Sequence, residues 1–195
     1  NGLFHPCAQK IYEYGDHKKI RLLTKNRQPQ RDNLKNKLRF FNEVTSKIDD
    51  LRRKISPKKK LILCVDGVAG CAKMAQQRQR RFRSSLPSNE SQNGECEIVI
   101  SNNSSEKKFN PSCLTPGTEM MDHLGKYLEW YIRTMISNSP DWQNLEVIFS
   151  NEKVPGEGEH KIINYIKSYK EKGITENICI HGLDADLIML TLSTH

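Results

Sequence analysis

The chain has 195 residues, 36% of them hydrophobic and 28% charged, with a formal net charge of +8. That length supports one domain with a real core, and the absence of any long apolar run or signal-peptide pattern at NGLFHPC excludes a membrane-spanning or signal-led reading of these residues. The basic balance favours polyanionic partners, nucleic acid ahead of acidic membrane. With no initiator Met, the chain reads as a fragment of something longer.

Residues 29–60 predict a helix, with Leu34, Leu38, Phe41, Val44 and Ile48 at helical spacing. It runs into LRRKISPKKK (51–60), six basic side chains with no acid, which fits a solvated face, a nuclear signal or an RNA-facing patch. LILCVDG (61–67) predicts a buried strand. After GVAGCA comes KMAQQRQRRFR (73–83), again without an acid; as a helix it places Lys73, Gln77, Arg80 and Arg81 on one side. Cations and an amide held there can grip a phosphate. Residues 84–113, rich in Ser and Asn, read as a surface excursion or partly disordered insertion within the one domain.

TPGTEMMDHLGKYLEWYIRTMIS predicts an amphipathic helix with Met121, Leu124, Leu128, Ile132 and Met135 on its apolar face and Pro116 and Thr118 at its start. LEVIFSN (145–151) predicts a second strand. GEHKIINYIKSYKEKG predicts a helix with Ile162, Ile163, Ile166 and Tyr169 on one face and Gly173 as its stop. NICIHG (177–182) predicts a third strand. Strand, helix, strand, helix, strand points to an α/β fold, a parallel sheet covered by helices. Six cysteines are scattered without a CxxC pair or zinc spacing, so they read as reduced thiols in an intracellular protein, cytoplasmic or nuclear.

The acids fall where such a sheet binds ligands. Asp66 closes the first strand, Glu157 and Glu159 follow the second, and Asp184 and Asp186 follow the third, all at the carboxyl ends. One such acid is ordinary helix capping. Five delivered to one edge repel unless a cation neutralises them, and hard oxygen donors point to Mg²⁺ or Mn²⁺. Two ions ~4 Å apart suit in-line phosphoryl displacement.

VDGVAGCAKMAQQRQRRFR, TPGTEMM, VPGEGEHKII and GLDADLIML resemble, in order, signature blocks of the Xrn 5′→3′ exoribonucleases, and NGLFHPC resembles that family's first block. The resemblance runs from residue 1 to 195, weakly over 8–60 and 84–112. It implies a Rossmann-like, flap-endonuclease or PIN-like nuclease core that degrades 5′-monophosphorylated single-stranded RNA to nucleoside monophosphates. By the same resemblance Asp66, Glu157, Glu159, Asp184 and Asp186 are metal-binding and catalytic. Lys73, Gln77, Arg80 and Arg81 form the 5′-phosphate pocket, and His5 stacks on the terminal base. His160 and His181 are left as structural neighbours of the acids.

Three departures stand out. The family's Pro-Arg in the turn after Asp66 is Gly70-Cys71 here. Its charged helical segment before TPGTE is replaced by the Ser/Asn-rich stretch. Its first aspartate would precede Asn1 and a later one would follow His195, so these residues alone are expected to be poorly active. The alternatives are a flap or 5′-end DNA nuclease of the same superfamily and a catalytically incomplete RNA-binding homologue.

Overall fold

A computed structural model describes residues 2–12, 14, 34–85, 109–173 and 176–194, without the side chains of 80, 81 and 83–85. Helix α1 (Phe4–Tyr12) is followed by the long helix α2 (Leu34–Ile55), strand β1 (Lys60–Cys64) and helix α3 (Cys71–Ser85). A 3₁₀ turn at Pro111–Cys113 leads into helix α4 (Glu119–Asn138), the short α5 (Pro140–Gln143) and strand β2 (Glu146–Ser150). Helices α6 (Gly158–Glu171) and α7 (Asp186–Leu192) complete the order.

The two strands pair in parallel, Lys60 opposite Glu146 through Cys64 opposite Ser150. A parallel pair needs a crossover, and α3 to α5 lie within it. The mixed architecture is that of the predicted α/β class, with a smaller sheet than the sequence suggests. The third strand is not formed: residues 176–184 carry no helix and pair in no ladder, and Ile178 is 53% exposed. An apolar run favours burial, but burial requires partners on both faces, and the side chains of Leu183, Ile188, Met189 and Leu192 are exposed alongside it.

The core lies between α1, α2 and α4. Phe4, Cys7, Ala8, Ile11 and Tyr12 of α1 meet Phe40, Phe41, Val44 and Ile48 of α2 and Met120, Met121, Leu124, Leu128 and Ile132 of α4. Thr118 caps α4, its hydroxyl accepting from Met121 N at 3.4 Å. The register of α2 differs from expectation at its start. Leu34 and Leu38 are exposed, whereas Asn36 and Phe40 are buried, because α1 packs on the face that carries Phe40. Trp142 of α5 is fully buried, its indole N–H donating to Asp49 at 3.4 Å with the Arg52 guanidinium over its ring.

Of the Ser/Asn-rich stretch, residues 86–108 lie outside the described residues. At its end Phe109 is buried and stacks on Tyr12 with ring centroids 3.7 Å apart. The described cysteines Cys7, Cys64, Cys71, Cys113 and Cys179 are free thiols; Cys96 lies outside the described residues. Among the described residues no helix is long and apolar enough to cross a membrane.

Candidate functional site

The site begins where the strands stop. Past the last ladder pair, Val65 N donates to Ser150 O at 2.9 Å, and the two following loops then bond reciprocally. Gly67 N reaches Gly156 O at 2.9 Å, and Gly156 N reaches Val68 O at 2.8 Å. These contacts need backbone without side chains. A Cβ on Gly67 would overlap the Val154 carbonyl, and Gly156 sits at φ +101°, which L side chains rarely adopt. The glycines of VPGEGE thus serve two closely packed loops, one carrying Asp66 and the other leading to Glu157 and Glu159.

Glu157 is the N-cap residue of α6 with extended backbone, and Glu159 lies in the first turn. Gly158 between them donates its N–H to Asp66 Oδ1 at 2.6 Å, a charge-assisted bond at a helix N-terminus. A Cβ at Gly158 would stand 3.0 Å from that oxygen and 3.1 Å from the Cys64 carbonyl. The glycine therefore lets Asp66 reach the helix end.

Two groups of candidate ligand atoms form here, each with its atoms mutually within 4.8 Å: Glu157, Glu159 and His160, and Glu159, Asp184 and Asp186. Glu159 belongs to both. Its side chain is only 12% exposed, and burial, then the charges of Asp184 and Glu157, push its carboxyl above the ordinary value. Asp184 and Asp186 are exposed, at the end of the unpaired segment 176–184 and at the first residue of α7. The carboxylates fit a hard divalent ion by donor chemistry, and the imidazole edge of His160 adds a nitrogen that manganese also accepts. Asp66 is joined to this cluster through Gly158 and lies outside both groups.

Helix α3 brings Lys73 to the same edge. Lys73 Nζ lies 3.1 Å from Glu157 Oε2, and this hydrogen bond raises the ammonium's pKa. Gln77, one turn on, is half-buried, while Arg80 and Arg81 occupy the next turn of the same helix, their side chains not described. His5 is half-buried on α1, its pKa lowered by burial against an opposing pull from Asp66. At the start of α1, Gly2 lies against Leu183, which directly precedes Asp184.

Two residues of this region carry roles that the sequence pattern does not mark. His160, a structural neighbour of the acids by sequence, has a ring nitrogen in a candidate ligand group, and its adjacency to Glu159 is the one sequence signal for that. Lys161 donates to Val65 O at 2.8 Å and Asn151 O at 2.9 Å. His181 is exposed and joins neither group.

Fold and site together define an α/β protein with clustered acids and a basic helix at the carboxyl edge of a parallel strand pair. The chain belongs to the XRN 5′-3′ exonuclease N-terminus family, whose model matches residues 1–195. It is 45% identical over 161 residues to 5′-3′ exoribonuclease 1 of Saccharomyces cerevisiae, covering 80% of this chain and 10% of that protein. It is 38% identical over 203 residues to 5′-3′ exoribonuclease 1 of Schizosaccharomyces pombe, covering 100% of the chain and 14% of that protein. Identity to 5′-3′ exoribonuclease 2 of Gallus gallus is 35% over 207 residues, covering 100% of the chain and 20% of that protein. The chain thus spans a fifth or less of the length of these relatives.

Proposed function

We propose that this chain is the nuclease-core portion of a metal-dependent 5′→3′ exoribonuclease acting on single-stranded RNA with a 5′-monophosphate. The observation that carries the reading is Glu159, shared by two groups of candidate ligand atoms, one of which also holds Glu157, the partner of Lys73 on α3. Family membership and the names of the relatives support RNA as the substrate. The fold proposed for the complete core is the flap-endonuclease or PIN-like sheet.

Glu157, Glu159, Asp184 and Asp186, with Asp66 held at the head of α6, would hold Mg²⁺ or Mn²⁺, two ions being the number the shared glutamate suits. When bound, such ions polarise the scissile phosphate and supply a water of lowered pKa. The chain's own side chains do the rest. Lys73, Gln77, Arg80 and Arg81 on α3 hold the terminal phosphate, which selects the monophosphate end and sets the length of each cut. His5, whose pKa burial lowers, presents its ring to the terminal base. Lys73 connects the two tasks, since its ammonium pairs with Glu157 and it shares a helix with Gln77, Arg80 and Arg81.

The test is degradation by the full-length protein with Mg²⁺ of matched RNAs bearing 5′-monophosphate or 5′-triphosphate. Rapid loss of the monophosphate RNA alone supports the reading; equal decay of both ends overturns the phosphate pocket. Matched 5′-phosphorylated DNA separates the alternative, a 5′-end DNA nuclease of the same fold, by being degraded instead.

A further inference from the structure

Lys161 has no part in the chemistry described above, yet it occupies an unusual position. It lies on α6, with its own N–H bonded to Glu157 O at 3.1 Å, one turn from the carboxylates. Its ammonium bonds the carbonyls of Val65 and Asn151. Val65 immediately precedes Asp66, and Asn151 opens the loop that ends in Glu157. One half-buried side chain therefore ties together the end of β1, the end of β2 and the first turn of α6, the three pieces that deliver Asp66, Glu157 and Glu159. Lysines ordinarily keep the ammonium in water, and holding this one against two backbone carbonyls carries a desolvation cost. Burial lowers its pKa, while the neighbouring carboxylates of Asp66 and Glu152 favour its charged form. The placement has a reason in the strand pair itself. The ladder stops at Cys64 and Ser150, and beyond it the loops are held by only a few backbone bonds. An ammonium with three donors can bridge two carbonyls beyond the last ladder pair.

We propose that Lys161 is a positioning residue for the acidic cluster: it locks the Asp66 loop to the Glu157–Glu159 turn, and its charge offsets part of the carboxylates' mutual repulsion. The inference rests on the reading that these acids hold divalent ions. The experiment compares wild type, Lys161→Met, Lys161→Gln and the exposed-lysine control Lys167→Met in the full-length protein. Two quantities are measured: Mn²⁺ affinity by titration calorimetry, and amide hydrogen exchange at Gly67 and Gly156 without metal. Lys161→Met should weaken Mn²⁺ binding at least tenfold and speed exchange at both glycines, with Lys167→Met like wild type. Lys161→Gln keeps N–H donors for the carbonyls but not the charge, so its losses should be smaller while still exceeding twofold in Mn²⁺ affinity and still speeding exchange; it carries the comparison if Lys161→Met does not fold. Mn²⁺ affinity within twofold of wild type, or unchanged exchange, in a folded Lys161 variant overturns the proposal. Faster exchange in a protein whose wild type binds no Mn²⁺ would overturn the metal reading while leaving the clamp in place.

Discussion

Replacing Gly158 with alanine separates site geometry from stability. The added Cβ would stand 3.0 Å from Asp66 Oδ1 and 3.1 Å from the Cys64 carbonyl, so a neighbour must yield by a few tenths of an ångström. The Cys64 carbonyl belongs to a strand held in the ladder with β2, whereas Asp66 lies on a loop, so the carboxylate is the group that moves. That movement stretches the 2.6 Å bond from Gly158 N, a charge-assisted contact worth about 1.5–3 kcal/mol when intact. Overpacking costs about 1–3 kcal/mol, while alanine in a helix regains about 1 kcal/mol over glycine, leaving a net loss of about 0–2 kcal/mol. Metal binding has no such compensation. Losing a contact that orients a ligand typically costs 10–100-fold in affinity, so Mn²⁺ affinity should fall by at least about tenfold. The assay is Mn²⁺ titration of wild type and Gly158→Ala beside urea denaturation of both. Unaltered Mn²⁺ affinity in the folded variant would refute the role given to this close approach.

Gly125 on α4 faces the buried carboxylate of Glu152, whose Oε2 has no hydrogen-bond partner among the described residues. Gly125→Ala should therefore destabilise by about 1–2 kcal/mol through overpacking, although alanine favours helix, and in a Glu152→Ala background the same change should stabilise by about 1 kcal/mol. Urea denaturation of the double-mutant cycle reads the reversal, and the same sign in both backgrounds would contradict it. The raised pKa of Glu159 predicts a pH dependence. Its contribution to metal-free stability is fully present below the ordinary value of 4.5 and is lost as pH rises through the higher folded-state value. The thermal shift produced by Mn²⁺ should accordingly grow with pH across that window, whereas a shift independent of pH would count against a shared carboxylate site. Lys73→Met should change stability by less than about 1 kcal/mol, since its pair with Glu157 is partly exposed, and should reduce the preference for 5′-monophosphate over 5′-hydroxyl RNA at least tenfold. Retained preference in competition assays would remove Lys73 from the phosphate pocket.

The sequence exposed most strongly those features fixed by local pattern. The β-branched runs at 61–67 and 145–151 became β1 and β2, Thr118 capped α4, and Gly173 ended α6 at φ +69° because both cap positions carry their own backbone requirements. Patterns that depend on a partner transferred less well. Leu34 and Leu38 continue the α2 stripe in sequence but not in space, since α1 chose the face with Phe40. Ile178 reads as buried, yet no ladder forms along 176–184. The site divides in the same way. Chain order relative to the strands placed Asp66, Glu157, Glu159, Asp184 and Asp186 at one edge, and the geometry then joined four of them in two groups about Glu159. Lys161 was illegible because a lysine in a first helical turn ordinarily faces solvent, and only the two strand-end carbonyls identify its function in the fold.

The most direct measurement of the central claim is Mn²⁺ titration of the full-length protein and its Glu159→Gln variant, with release of nucleoside monophosphates from 5′-monophosphate RNA followed in parallel. Glu159 joins both acidic groups, so the neutral amide should weaken Mn²⁺ binding at least tenfold and reduce product release at least a hundredfold while the protein stays folded. Wild-type Mn²⁺ affinity and wild-type product release in the variant would contradict a cation site centred on this glutamate.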